Sequence, residues 1–242
     1  IITASHNPYE WNGFKYKPEY AGSASPEIVE ALEEHIRKSE GDIQKYQNKR
    51  TMVSKAESVE VIDAKHAYIE HIATLIDIDA IKSAGFNVIA DVMYGAGIGY
   101  ISEIISGGST VISELHDYIN PTFPGISQPE PIAHNLEYLS KHVRDNHYDV
   151  GLALDGDADR FGLVDEKGNF ITSLQVFSLL VLYMLEIKGE TGAIVKSITS
   201  TSMIYKIAEL YKVPVFETPV GFKYIGSKMM TEKALIGGEE SG

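Results

Sequence analysis

Three carboxylates at alternate positions, Asp155, Asp157 and Asp159 in "LDGDADRFG", stand directly after the apolar run "DVGLAL". Two like charges about 4 Å apart repel by roughly 4 kcal/mol at an effective dielectric of 20, so such a cluster converges only where a cation cancels the repulsion. Oxygen-only ligands in a small loop favour Mg2+ or Mn2+ over zinc. A calcium loop of EF-hand type is the competitor, because Glu166 is the twelfth residue counted from Asp155. Its sixth position is Arg160, however, where that loop needs glycine, and strands rather than helices flank it. Calcium is therefore set aside.

A second polar cluster, "TASHNP" from Thr3 to Pro8, places a serine hydroxyl beside a histidine, a side-chain type that serves as acid or base. A turn would explain Ser5, Asn7 and Pro8. Proton transfer by His6 and a loop-orienting role for its ring are equally compatible with the spacing. Lys15 follows in "NGFKYK", and Lys223 stands at a helix start in "TPVGFKYIG", where the helix dipole disfavours a cation unless an anion is near. Lys196 lies in the strand-like "AIVKSI", and "GGEESG" holds Glu239, Glu240 and Ser241 in a glycine-flanked loop that suits hydroxyl binding or a simple acidic turn. The chain has no cysteine, which excludes disulfides, thiolate catalysis and cysteine-ligated zinc, and favours a reducing, cytoplasmic setting.

The elements that must position these residues alternate. "SPEIVEALEEHIRKSEG" reads as a helix with Ser25 as N-cap, Pro26 in the first turn and Gly41 at the end. A polar, aperiodic stretch from Asp42 to Glu60 reads as a linker. Beyond Val61 come helix, strand, Gly-rich turn, helix, strand, helix and strand, then the hairpin "RFGLVDEKGNFIT" turning at Gly168 and Asn169. The rhythm restarts with a helix capped by Ser173, whose run "VFSLLVLYML" reads as buried, and continues as strand, helix, strand, short helix and strand. Alternation of this kind predicts an α/β fold with sheets covered on both faces. With 242 residues, 44% of them hydrophobic, the chain is long enough for more than one core. A net charge of −13 argues against nucleic acid and anionic membranes as partners, and no run reaches a membrane span. Both ends, "IITASHNP" and "LIGGEESG", read as cut from something longer.

Taken together, "TASHNP", "DGDADR", "TPVGFKYIG" and "GGEESG", in this order along the whole chain, resemble the α-D-phosphohexomutase superfamily, the phosphoglucomutase and phosphomannomutase enzymes. The resemblance implies successive three-layer α/β domains with mixed sheets. Residues 1–60 would be the end of a first domain with the phosphoserine loop and linker, 61–167 a second with the metal loop, and 168–242 a shortened third with the sugar loop. A fourth domain, gripping the non-reacting phosphate, would be absent, so low turnover is expected of this chain. By the same resemblance Ser5 carries a phosphoryl group and shares Mg2+ with Asp155, Asp157 and Asp159. Glu239 and Ser241 hold sugar hydroxyls, Arg160 and Lys196 face the substrate, and Lys15 and Lys223 stand near the reacting hydroxyl.

The implied reaction interconverts hexose 1-phosphate and hexose 6-phosphate through a hexose 1,6-bisphosphate, which is both intermediate and activator. "TPVGFKYIG" looks more like the phosphoglucomutase version of its loop than the phosphoglucosamine mutase version, which favours glucose; mannose and pentose phosphates stay open. Lys15, Lys223 and His6 are the candidate bases, and either lysine needs a lowered pKa to serve. A phosphatase and a non-catalytic module binding sugar phosphate and Mg2+ are the alternatives. The oligomeric state is not set by the sequence.

Overall fold

In the computed structural model, which describes residues 1–39 and 60–240, the chain builds three sheets. The first is a two-stranded ribbon, β1 (Ile2–Thr3) against β2 (Gly13–Phe14), antiparallel with Ile2 opposite Phe14. It closes the base of the loop that carries Ser5. Helix α1 (Pro26–Ser39) follows, with Pro26 in the first turn, where its missing N–H leaves no bond unmade, and the Ser25 carbonyl accepting from Val29. The expected stop at Gly41 and the linker up to residue 59 lie outside the described residues.

The second sheet grows from α2 (Lys65–Leu75), α3 (Ile78–Ser83), β3 (Asn87–Asp91), α4 (Tyr100–Ile105), β4 (Val111–Leu115), α5 (Glu137–Asp145), β5 (Val150–Leu154), β6 (Phe161–Val164) and β7 (Phe170–Ile171). Its strand order is β4-β3-β5-β6-β7, with the first two pairings parallel and the last two antiparallel. The inner strand β3 is buried from Val88 to Asp91, as expected of a strand covered on both faces. Ile89, Met93, Leu136, Leu139, Val143, Ala153 and Val164 form the core beneath it.

The third sheet comes from α6 (Ser173–Leu182), β8 (Ile194–Ser197), α7 (Met203–Tyr211), β9 (Val215–Thr218), α8 (Phe222–Glu232) and β10 (Ile236–Gly238). It is parallel throughout, ordered β10-β8-β9, over a core of Phe177, Val181, Leu185, Ile194, Ile204 and Ala208. In both larger sheets the first strand lies between the second and the third. The two layouts thus repeat without a readable sequence repeat.

Three sequence readings need correction. The cap of α6 is Thr172, not Ser173: its hydroxyl accepts from the Gln175 N–H while the Gln175 side chain returns to the Thr172 backbone, a full capping box. Ser173 instead donates its hydroxyl to the Glu240 carbonyl. The run "VFSLLVLYML" is buried on one side only, through Val176, Phe177, Val181 and Leu185, whereas Leu179 is 60% exposed. The helix before β5 starts as a 3-10 turn, Ala133–Leu136. Among the described residues no helix is long and apolar enough to cross a membrane.

Candidate active site

The metal-type loop leaves the C-terminal end of β5, the edge at which open α/β sheets bind ligands. Asp155 has no exposed surface, and one of its oxygens accepts the N–H groups of Asp159 (2.8 Å) and Arg160 (3.0 Å). Those bonds fold the loop back on itself, helped by Ala158 in the left-handed region at φ 60°. One carboxylate oxygen from each of Asp155, Asp157 and Asp159 lies within 4.8 Å of the others. Among the described residues, Asp155 Oδ2 and Asp157 Oδ1 are buried without a hydrogen-bond partner. Unpaired buried carboxylate oxygens are costly, and an oxygen-seeking divalent cation is the partner this donor set fits.

The charges in the loop are unequal. Burial, together with the carboxylates of Asp157 and Asp159, pushes Asp155 up to about 7, against the opposing backbone hydrogen bonds. Burial would raise Asp157 as well, but hydrogen bonds from Lys15 and Thr3 outweigh it and lower its pKa. Lys15 Nζ donates to Asp157 at 2.9 Å and to Asp159 at 2.7 Å. Partial burial alone would lower the Lys15 pKa; the hydrogen bonds to Asp159 and Asp157 reverse this and raise it. The lowered pKa that a base at Lys15 needs is therefore not what its surroundings produce.

Ser5 is brought over this loop by the ribbon. Thr3 Oγ1 donates to Asp157 (2.8 Å) and accepts the Ser5 N–H (2.8 Å), so one hydroxyl couples the two segments. Ser5 itself adopts φ 54°, a left-handed conformation uncommon for a residue with a Cβ, in a turn closed by the Asn7 N–H on the Ala4 carbonyl. His6 Nδ1 lies 3.5 Å from Ser5 Oγ, at the outer limit of hydrogen-bond contact. Cavities of about 400 and 310 Å3 flank Ser5, the smaller reaching Lys15.

The remaining candidates gather on the third sheet. Lys196, fully buried in β8, donates to Glu217 (2.7 Å) on β9 and to the Ser197 carbonyl, with its ammonium over the Tyr205 ring. Glu239 is buried at the end of β10 and accepts the Gly221 N–H (2.9 Å) at the start of α8. Glu240 accepts from the Ser197 and Thr199 hydroxyls. Lys223 lies over the Tyr224 ring, and among the described residues no hydrogen bond or ion pair ties it to the Ser5 cluster. Arg160 stands between the two groups, paired with Glu130 at 2.6 Å, beside a cavity of about 360 Å3 that Thr172, Ser173 and Glu240 also line. Ser241 lies outside the described residues.

Residues 1–42, 66–168 and 172–242 match, in turn, the alpha/beta/alpha domains I, II and III of phosphoglucomutase/phosphomannomutase. The chain belongs to the phosphoglucomutase/phosphomannomutase family. Over its whole length it is 31% identical to a probable phosphoglucosamine mutase of Methanopyrus kandleri and 31% identical to a phosphoglucomutase/phosphomannomutase of Thermococcus kodakarensis, covering 51% of each. The crystal structure of an assigned phosphomannomutase from Thermus thermophilus superposes with a TM-score of 0.84 at 30% identity, all of this chain on 53% of that one. The chain spans about half the length of the curated relatives it matches.

Within this family member, sequence reasoning missed Thr3, Glu130 and Glu217 as supports of the site, and named Glu240 only as part of its acidic loop. Thr3 was within reach, since it sits in the opening motif; Glu130 and Glu217 have partners 30 and 21 residues away and carry no local signal. The glycines of the loop are fixed by contact. A Cβ on Gly95 would lie 2.4 Å from the Gly156 carbonyl, which also accepts the Ala96 N–H. Gly95→Ala is expected to cost about 1–3 kcal/mol, as overpacking does, and to lower Tm by several degrees. Gly226→Ala, where nothing lies within 4 Å, is the control and should leave Tm unchanged or higher in the same thermal melts.

Proposed function

We propose that this chain carries the phosphoryl-transfer centre of a phosphohexomutase, interconverting hexose 1-phosphate and hexose 6-phosphate through phosphorylated Ser5 and a hexose 1,6-bisphosphate. Glucose is the favoured hexose, with mannose and pentose phosphates as alternatives, and the setting is cytoplasmic. The observation that supports this reading above all is the Thr3 and Lys15 bridge, which seats the Ser5 loop on the three-aspartate loop. A phosphoserine carries about −1.5 to −2 charge at neutral pH, so it needs counter-charge beside three carboxylates. Mg2+, held by Asp155, Asp157 and Asp159, would neutralise that charge and act as Lewis acid on the phosphoryl group.

The rest falls to the chain's own residues. A sugar hydroxyl attacks phosphorus, its O–P bond forms as the Ser5 Oγ–P bond breaks, and its proton passes to a base. His6 is the best-placed base, because its Nδ1 lies 3.5 Å from Ser5 Oγ whereas Lys15 is held charged by its two aspartates. Lys15, held charged by its two aspartates, supplies fixed positive charge near the transferred group. Lys223, Arg160, Lys196, Glu239 and Ser241 are assigned to the bound sugar phosphate. The proton returns to Ser5 Oγ, and reversal with the turned bisphosphate completes the cycle.

Incubation with glucose 1,6-bisphosphate labelled in phosphate should leave label on Ser5, and Ser5→Ala should remove it, as read by peptide mapping. Label at Ser23 or Ser25 would overturn the assignment. Steady release of inorganic phosphate would make the protein a phosphatase. Binding of Mg2+ and sugar phosphate with no label on Ser5 would leave only a binding module.

A further inference from the structure

Residues 128–131, just upstream of the 3-10 turn, run beside the aspartate loop and touch it at two points and the following strand β6 at a third. The Pro129 carbonyl accepts the Gly156 N–H at 3.0 Å. The Glu130 carboxylate takes the Arg160 guanidinium, both side chains being less than one quarter exposed. Pro131 lies against Gly162, where a Cβ would come within 2.9 Å of the Pro131 carbonyl. This strap belongs to no sheet, and its two prolines lack the N–H that would tie it to a ladder.

One side-chain amide braces the strap across its two backbone turns, in which the Gln128 carbonyl accepts the Glu130 N–H (2.7 Å) and the Glu130 carbonyl accepts the Ile132 N–H (2.9 Å). Asn135 Nδ2 donates to the Gln128 carbonyl (2.8 Å) and the Glu130 carbonyl (2.9 Å), while its Oδ1 accepts from Ser127. Asn135 is fixed in turn, because its own N–H bonds the Ile132 carbonyl and the next residue, Leu136, is fully buried in the core. A carboxylate at this position would face two carbonyls with no donor to offer.

We propose that Asn135 and Glu130 are positioning residues for the active centre: Asn135 clamps the strap, the strap sets Gly156 and hence the aspartate loop, and Glu130 aims Arg160. Only the Arg160 part rests on the phosphohexomutase reading. An arginine with one Nη group held by Glu130 keeps its other donors available in a fixed plane, which is what recognition of a phosphate requires.

Amide hydrogen exchange on the 242-residue chain, without metal or substrate, tests the clamp. Asn135→Ala should speed exchange at residues 155–160 by about tenfold, the worth of two neutral hydrogen bonds, and leave β3 unchanged. Mg2+ binding by calorimetry should weaken by a comparable factor. Unchanged exchange at 155–160 overturns the proposal, and so does faster exchange that includes β3, since Asn135 would then support the core rather than the loop. For Glu130, which lies on the rim, Glu130→Ala should weaken glucose 1-phosphate binding at least about fivefold and Glu130→Gln should restore most of it, with the Mg2+ affinity of both near that of the parent. Equal binding by all three proteins overturns that part. Failure of the parent chain to bind glucose 1-phosphate counts against the proposed function and leaves the exchange result to decide the clamp.

Discussion

Lowering the pH from 7 to 5 should weaken Mg2+ binding about fiftyfold, while raising it above 7 should change little. Asp155 is the reason: with no exposed surface and two carboxylates beside it, its pKa is pushed up to about 7. A ligand must give up its proton to bind a cation, so each pH unit below that pKa costs about tenfold in apparent affinity. Asp157, with its lowered pKa, is already ionised throughout this range. The same shift governs stability without the metal. Because the folded pKa lies above the unfolded value of 3.8, the folded state binds the extra proton between about pH 4 and 7, and this group makes stability fall as pH rises across that window and then level off. Asp155→Asn keeps the oxygen that accepts from Asp159 and Arg160 and removes the titration. Its Tm should lose that slope, with the eight histidines contributing equally to both proteins. Calorimetric Mg2+ affinities that are flat from pH 5 to 7 would falsify this account of the loop.

Lys15→Met is expected to tighten Mg2+ binding about tenfold, although it deletes a charge from the active centre. The Lys15 ammonium holds oxygens on two of the three carboxylates, so an entering cation must compete with it for Asp157 and Asp159. With Lys15 36% exposed, each of these contacts is worth at most about 1 kcal/mol, and two together amount to roughly tenfold. Long-range repulsion between ammonium and cation acts in the same direction. The phosphoryl transfer proposed for Ser5 should move the opposite way and slow, because the transferred group loses a fixed positive neighbour. Methionine retains the length and apolar stem of lysine, so the variant separates charge from packing. Weaker or unchanged Mg2+ binding in calorimetry would show that Lys15 does not contest the carboxylates.

The legibility of the site follows sequence distance. Asp155, Asp157 and Asp159 were readable as one cluster because three letters within five positions, after an apolar strand, leave little choice of arrangement. The α/β alternation was readable for the same reason, each strand and helix being announced by its own period. Lys15 was read as a base candidate because nothing local reveals aspartates 142 and 144 residues away. Lys196 was readable as a lysine in a strand, but its pairing with Glu217 depends on the register of β8 against β9, which no single strand encodes. In α6, hydropathy could not say which side of a uniformly apolar helix meets the core. Thr172 was overlooked as its cap because two adjacent hydroxyl residues compete for one position, and the Gln175 three residues on decides between them.

The Thr3 and Lys15 bridge also has a consequence for biosynthesis. Thr3 and Asp157 are 154 residues apart, so the Ser5 loop can find its seat only after the ribosome has emitted all of β3, β4 and β5. Closing so long a stretch costs about 4 kcal/mol in chain entropy, a debt met by few contacts until the central sheet has formed. The Ser5 loop therefore reaches its native place after segments that follow it by more than a hundred residues in the chain. A nascent chain would present an unorganised serine, and the phosphate acceptance proposed for Ser5 would report that the sheet has folded.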